Sequence, residues 1–147
     1  MDNKQKAKEL FMQNYSCSQS AACAFAKECG LSEDQLKKAA IAFGRGFLHT
    51  ESVCGALTGV AIAAGLIAGG VEPMSKMEFA EKFTAVANAF KEKFGSVNCA
   101  DLVYDKEKLA KFRDLSLATE EEYNARPCLV LVLAAVDFAE KFLAENK

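Results

Sequence analysis

The chain has 147 residues, half of them hydrophobic (51%), with 18 Lys and Arg against 20 Asp and Glu for a net charge of -2. That is the length of one ordinary domain able to bury a core without staples, and the interleaved charges leave no basic footprint for nucleic acid. Residues 1–8 lack the apolar stretch and cleavage site of a secretory signal, so the reducing cytoplasm is the expected compartment. There, six cysteines read as catalytic, redox or metal-binding before they read as structural disulfides.

Helical periodicity runs through the chain. Ala7, Leu10, Phe11 and Tyr15 share one face of a first helix that ends before Ser16. A second helix is predicted over about residues 17–28 and is stopped by Gly30. Ser32-Glu33-Asp34-Gln35 is a capping box that opens a third, packed through Leu36, Ala39, Ala40 and Phe43 and ended by Gly44-Arg45-Gly46. The fourth, over about residues 51–68, carries Gly55, Gly59, Ala63 and Gly65 at near four-residue spacing, which lets other backbones approach and makes it the expected centre of the molecule. Residues 52–71 carry no charge and are long enough to raise the question of a membrane span. Alanines and glycines outnumber the large aliphatics there and no aromatic or basic belt flanks the stretch, so a buried helix is the better reading.

Gly69-Gly70 and Pro73 break the chain, and Ser75-Lys76-Met77-Glu78 is expected to open a fifth helix with Phe79, Phe83, Val86, Ala87, Phe90 and Phe94 on one face, closed by Gly95. Short helical turns are expected near residues 98–103 and 105–114, and Glu120, Glu121 and Glu122 fit a solvated helix start after Thr119. A last helix over about residues 127–144 is apolar all round in its first half, which implies burial on every side. No segment alternates as a strand does. The expected fold class is therefore all-α: a single-domain bundle of about five to six helices around a Gly/Ala-rich central helix.

Four of the six cysteines fall at predicted helix starts. Ser16 with Gln19 forms a capping box around Cys17, and Asn98 with Asp101 stands in the same relation around Cys99. Cys54 lies one turn after Thr50 and Glu51, and Cys128 follows Pro127, a residue favoured as the first of a helix. A helix N-terminus offers free N-H groups and the positive end of the dipole, which stabilise a thiolate, and thiolate is both the nucleophile and the metal ligand. Cys23 and Cys29 lack that help and read as small buried hydrophobes. Cys17, Cys23 and Cys29 are six apart, about 240° around a helix, and there is no Cys-x-x-Cys, so any site must be assembled by the fold.

The segments Asn14-Tyr15-Ser16-Cys17-Ser18-Gln19-Ser20, Val53-Cys54-Gly55-Ala56-Leu57-Thr58-Gly59, Phe94-Gly95-Ser96-Val97-Asn98-Cys99 and Arg126-Pro127-Cys128, with Phe43-Gly44-x-Gly46 ahead of the second, occur in the order and spacing of a known family. Over nearly its whole length the chain resembles the C-GCAxxG-C-C family, named for redox activity and including members labelled selenoproteins. The resemblance implies that Cys17, Cys54, Cys99 and Cys128 are the family's four cysteines and that Cys23 and Cys29 are local extras. Residues 45–51, Arg-Gly-Phe-Leu-His-Thr-Glu, are bulkier than the glycine-rich run the resemblance implies ahead of Cys54.

Among other groups, His49 is the only histidine and could serve as base or ligand, although a lone loop histidine is more often plain surface. Arg45 and Arg126 are near the cysteines in sequence and could hold an anion or favour a thiolate, against the commoner reading of exposed arginines. Gly55 and Gly59 serve helix contact before ligand approach.

Three functions compete. One is thiol-disulfide exchange by a thiol oxidoreductase acting on a redox partner protein or a small thiol or disulfide, with Cys54 attacking and a second cysteine resolving. Another is electron transfer or metal binding, with the four thiolates holding a 2Fe-2S iron-sulfur cluster or a zinc ion as cofactor. The last is a non-enzymatic helical interaction module with inert cysteines. Helical bundles with an exposed apolar groove often dimerise, so a homodimer belongs among the partner options, with no residue pointing to it.

Overall fold

The computed structural model describes residues 1–146. Among these there are ten α-helices and no strand, which makes the domain all-α as its periodicity predicts. Helix α1, Asn3–Met12, starts where the Asp2 carboxylate accepts the Gln5 N-H, and it buries Ala7, Leu10 and Phe11. Helix α2, Cys17–Cys23, opens on the Ser16/Gln19 capping box, with side chain and backbone satisfied reciprocally.

The single second helix expected over residues 17–28 is instead two. At Phe25 (φ -104°, ψ 15°) the ladder tightens, its amide taking the carbonyl of Ala22 three residues back, and α3, Ala26–Cys29, continues as one turn before the left-handed Gly30. The break turns the Phe25 ring into the core, where it is 1% exposed. Burial of an aromatic side chain outweighs one regular helical hydrogen bond.

The Ser32/Gln35 box opens α4, Glu33–Ala40, as its sequence predicts. Leu36 and Ala40 are buried, whereas Ala39, expected in the packed face, is exposed, because only one narrow stripe of this short helix meets the core. A 3-10 turn, Ile41–Phe43, follows. Helix α5, Gly55–Ala68, then runs through the centre and packs most extensively on α2 and on the last helix. It begins four residues later than periodicity suggests. Residues 51–53 are taken instead by an antiparallel bridge between Val53 and Asn98.

Helix α6, Ser75–Phe94, buries Val86, Phe90 and Phe94 and ends at Gly95 (φ 87°). The capping box expected from Ser75 and Glu78 does not form: the Ser75 hydroxyl donates to the Glu72 carbonyl, 2.6 Å away, and Met74 is the N-cap. Three short helices follow, α7 (Cys99–Leu102), α8 (Lys106–Ala110) and α9 (Glu120–Ala125), the last opened by a Thr119/Glu122 capping box. Helix α10, Leu129–Asn146, buries Leu129 to Leu133 without interruption, the all-round burial its composition predicts. Phe142 on α10 packs near-perpendicular to the rings of Phe79 and Phe83 from α6. Among the described residues no helix is long and apolar enough to cross a membrane.

Candidate functional site

The two glycines of the segment 53–59 set how closely α2 and α5 meet. A Cβ at Gly59 would lie 2.5 Å from the Ser18 carbonyl oxygen, so only glycine lets the α2 backbone cross there. A Cβ at Gly55 would lie 2.4 Å from the Cys17 sulfur and 2.7 Å from the Phe43 carbonyl oxygen, so this position is emptied for Cys17 itself. Helix α2 is held in place from its other side by α4. Ser18 Oγ donates to the Ala40 carbonyl at 2.8 Å and Gln19 Nε2 to the Lys37 carbonyl at 3.1 Å.

The bridge between Val53 and Asn98 brings the next pair together. Cys54 N-H donates to Val97 O and Cys99 N-H to Ser52 O, both at 2.7 Å, so the residue after each bridging partner is a cysteine. Cys54 becomes the N-cap of α5 and Cys99 the first residue of α7. Asn98 precedes α7 but its side chain makes no capping bond, and Asp101 accepts from Ser96 rather than closing the expected box. Cys128 lies immediately before α10, its carbonyl accepting from Leu131 and Val132, because the helix begins two residues later than Pro127 suggests.

All four helix-start cysteines thus converge. Cys17, Cys54, Cys99 and Cys128 line one cavity of about 560 Å³, against about 250 Å³ for the cavity beside Gly69 and Gly70. Cys17 and Cys128 are half-buried, while Cys54 and Cys99 are each 4% exposed. Cys17 is the hub: its charge acts to raise the thiol pKa of each of the other three. Cys23 and Cys29 lie elsewhere, with Cys23 donating to the Glu33 carbonyl (3.5 Å) and Cys29 to the Ala63 carbonyl (3.7 Å).

The electrostatics revise one expectation. A helix start should lower a thiol pKa, and the N-H groups of Ala56 and Leu57 do favour the Cys54 thiolate. Burial outweighs them and, with the charge of Cys17, pushes the Cys54 thiol far above its ordinary range. Burial therefore opposes the activation that the sequence position of Cys54 suggests. Burial, followed by the charges of Cys17 and Cys99, pushes Cys128 up to about 11 against the opposing pull of Arg126 and Arg45, and burial also raises Cys99.

Residues 45–51 reach the cavity at Arg45 and His49. Arg45, Phe47, Leu48, His49 and Glu51 all have positive φ, between 51° and 66°, as does Gly46 at 71°. A left-handed run costs non-glycine residues roughly 1–2 kcal/mol each, which is why a glycine-rich sequence suits this stretch and why these bulkier residues store strain beside the thiols. The run is tied down by Glu51 N-H to Arg45 O (3.1 Å) and Ser52 N-H to Gly46 O (2.9 Å). It carries Arg45 and His49 to the cavity. Arg45 pairs with Glu51, which Tyr104 also bonds, so this cation is already partnered.

Arg126 reaches the same cavity from the opposite side. Its Nη1 donates to the carbonyls of Phe11 and Tyr15, and its guanidinium carbon lies 3.6 Å from the Phe11 ring centroid. Lys106 also lines the cavity and has no motif around it from which sequence reasoning could have found it. Among the described residues no three His, Cys, Asp or Glu side chains are placed to hold a metal ion.

Residues 15–142 match the family described as a putative redox-active protein with the signature C-GCAxxG-C-C. The chain belongs to the C-GCAxxG-C-C family. That match covers most of the chain and includes all four cysteines around the cavity. Neither a curated protein nor a solved structure was found to match it.

Proposed function

We propose that the protein is a thiol-disulfide exchange protein in which Cys17 is the attacking thiol and Cys54 the resolving one. The observation that carries this reading is the convergence of four cysteines from four separate segments on one cavity, with the half-buried Cys17 as the hub and buried Cys54 beside it. Access separates the two roles. An incoming disulfide meets Cys17 from the cavity, and a thiol sealed at 4% exposure meets only what is already attached to its neighbour.

The Cys17 thiolate attacks one sulfur of a disulfide R-S-S-R. The S-S bond breaks, R-S⁻ leaves and takes up a proton, and a mixed disulfide Cys17-S-S-R forms. Cys54 loses its proton to water as it attacks the Cys17 sulfur, R-S⁻ leaves again, and a Cys17–Cys54 disulfide remains. The dithiol has lost two electrons and two protons, and R-S-S-R has become two R-SH. The raised pKa of Cys54 keeps it protonated while Cys17 attacks, and formation of the mixed disulfide removes the Cys17 charge that helps to raise it. Cys99 and Cys128 line the same cavity and are the candidates to pass the oxidation onward.

The test is oxidation of the fully reduced, anaerobically purified protein with one equivalent of a small disulfide, followed by peptide mapping. A Cys17–Cys54 linkage is the expected product. Unchanged thiols at all four positions would overturn the reading, as would stoichiometric iron or zinc held through these sulfurs.

A further inference from the structure

The charge on the cavity wall runs against the charge of the chain. The protein is net negative, with 20 acidic residues against 18 Lys and Arg, yet the cavity over the cysteines is lined by Arg45, Lys106 and Arg126 and by no aspartate or glutamate. Arg45 is neutralised by Glu51. Arg126 and Lys106 are in no salt bridge among the described residues.

Arg126 is the more telling of the two. It is half-buried, and burial pulls its pKa down from the usual value. A guanidinium held out of water is normally given a carboxylate, because desolvating an unpaired charge is costly. Here one nitrogen is occupied by the carbonyls of Phe11 and Tyr15, which fix the plane of the group without neutralising it. Its remaining donors are of the kind that match a carboxylate in a planar fork. Around them the wall is apolar, with Phe11, Ile41, Val103 and Leu131 facing the same space. The volume, about 560 Å³, lies in the range of small-molecule sites.

We propose that this cavity takes a small anionic disulfide, with a carboxylate on Arg126 and Lys106, the aliphatic part of the ligand on the apolar wall, and its sulfur presented to Cys17. The inference rests on the exchange reading and adds the substrate class. A disulfide on a folded protein is the competing substrate, and its surface would have to bring a sulfur to the half-buried Cys17.

The experiment compares three symmetric disulfides of similar length on the reduced full chain at low salt: 3,3′-dithiodipropionate (anionic), 2-hydroxyethyl disulfide (neutral) and cystamine (cationic). Loss of protein thiol is followed under pseudo-first-order conditions. The expected order is anionic, neutral, cationic, with at least ~10-fold between the ends, the scale on which a cleft of one sign concentrates its ligand, and with the ratio shrinking as salt is added. Lys106→Glu should narrow or invert the ratio. Arg126→Gln should collapse it, and Arg126→Lys should restore most of it. Lys106 is exposed, so its variant keeps the test informative should Arg126→Gln not fold.

Reaction with all three disulfides at one rate, or a charge preference unchanged in Lys106→Glu and Arg126→Gln, overturns the substrate class and leaves the exchange reading standing. Reaction confined to a protein disulfide such as that of insulin also overturns the small-molecule class alone. Unchanged thiols with every disulfide overturn both.

Discussion

The two ends of the α2–α5 pair hold the same residue type in opposite circumstances. At the N-terminal end, Cys17 and Cys54 meet across Gly55 and open, directly or through each other, onto a cavity. Toward the C-terminal end of the α2–α3 run, Cys23 and Cys29 each point a weak S-H donor at a backbone carbonyl, from α4 and α5 respectively, and line no such cavity. Burial raises thiol pKa values at both ends, Cys23 to about 11 as it does Cys128. The difference therefore lies in the cavity, which four sulfurs line together and Cys23 and Cys29 do not. A cysteine acts chemically where the fold leaves it a second thiol and a path to a reactant.

The sharpest way to break the comparison is substitution. Cys17→Ser should reduce disulfide exchange to background, measured by thiol loss under excess small disulfide, while Cys23→Ala and Cys29→Ala should keep the wild-type rate. Equal loss at both ends would erase the distinction.

Alkaline pH should act on buried Cys23 through stability. Cys23 holds its proton up to about pH 11 in the folded chain and releases it near its ordinary value of 9.0 when unfolded. Above pH 9 the native state binds more protons, so stability is intact below that value and falls as pH rises toward 11, by about 2–3 kcal/mol. Urea denaturation across pH 8–11 should show the fall, and Cys23→Ala should remove the share due to Cys23 while leaving that of Cys54, Cys99 and Cys128.

Between the two ends lies Gly59. Gly59→Ala forces a Cβ to within 2.5 Å of the Ser18 carbonyl oxygen and should cost about 1–3 kcal/mol, read as a Tm lower by several degrees. Gly65→Ala is the control on the same helix: nothing lies within 4 Å of its Cβ, so it should raise stability by roughly 0.5–1 kcal/mol. A similar gain, about 1 kcal/mol, is expected from Leu48→Gly, which relieves a left-handed φ of 51° in the segment that carries Arg45 and His49. Thermal denaturation of the three variants checks all three signs.

Much of the fold was legible in the sequence because helix starts are local events. Ser16/Gln19, Ser32/Gln35 and Thr119/Glu122 each close a ring of hydrogen bonds within three residues, so their residue types carry the answer. The same rule failed at Ser75/Glu78 and Asn98/Asp101, where Ser75 turned back to Glu72 and Asp101 was taken by Ser96. The helix break at Phe25 was invisible for another reason: periodicity runs on through it, and only the core decides that the ring must turn inward.

By itself the sequence determined the helical class, the stripe of small residues in the central helix, and four cysteines each placed at a helix start. These follow from hydrogen bonds and spacings that span a few residues. Only the tertiary structure decided that the four meet in one cavity, through a bridge joining Val53 to Asn98 and a glycine emptied for Cys17. It also decided that burial overrides the helix start at Cys54, and that Lys106 and Arg126 face the same space. Those outcomes depend on which surfaces are removed from water and on contacts between residues tens of positions apart, and no local pattern records either.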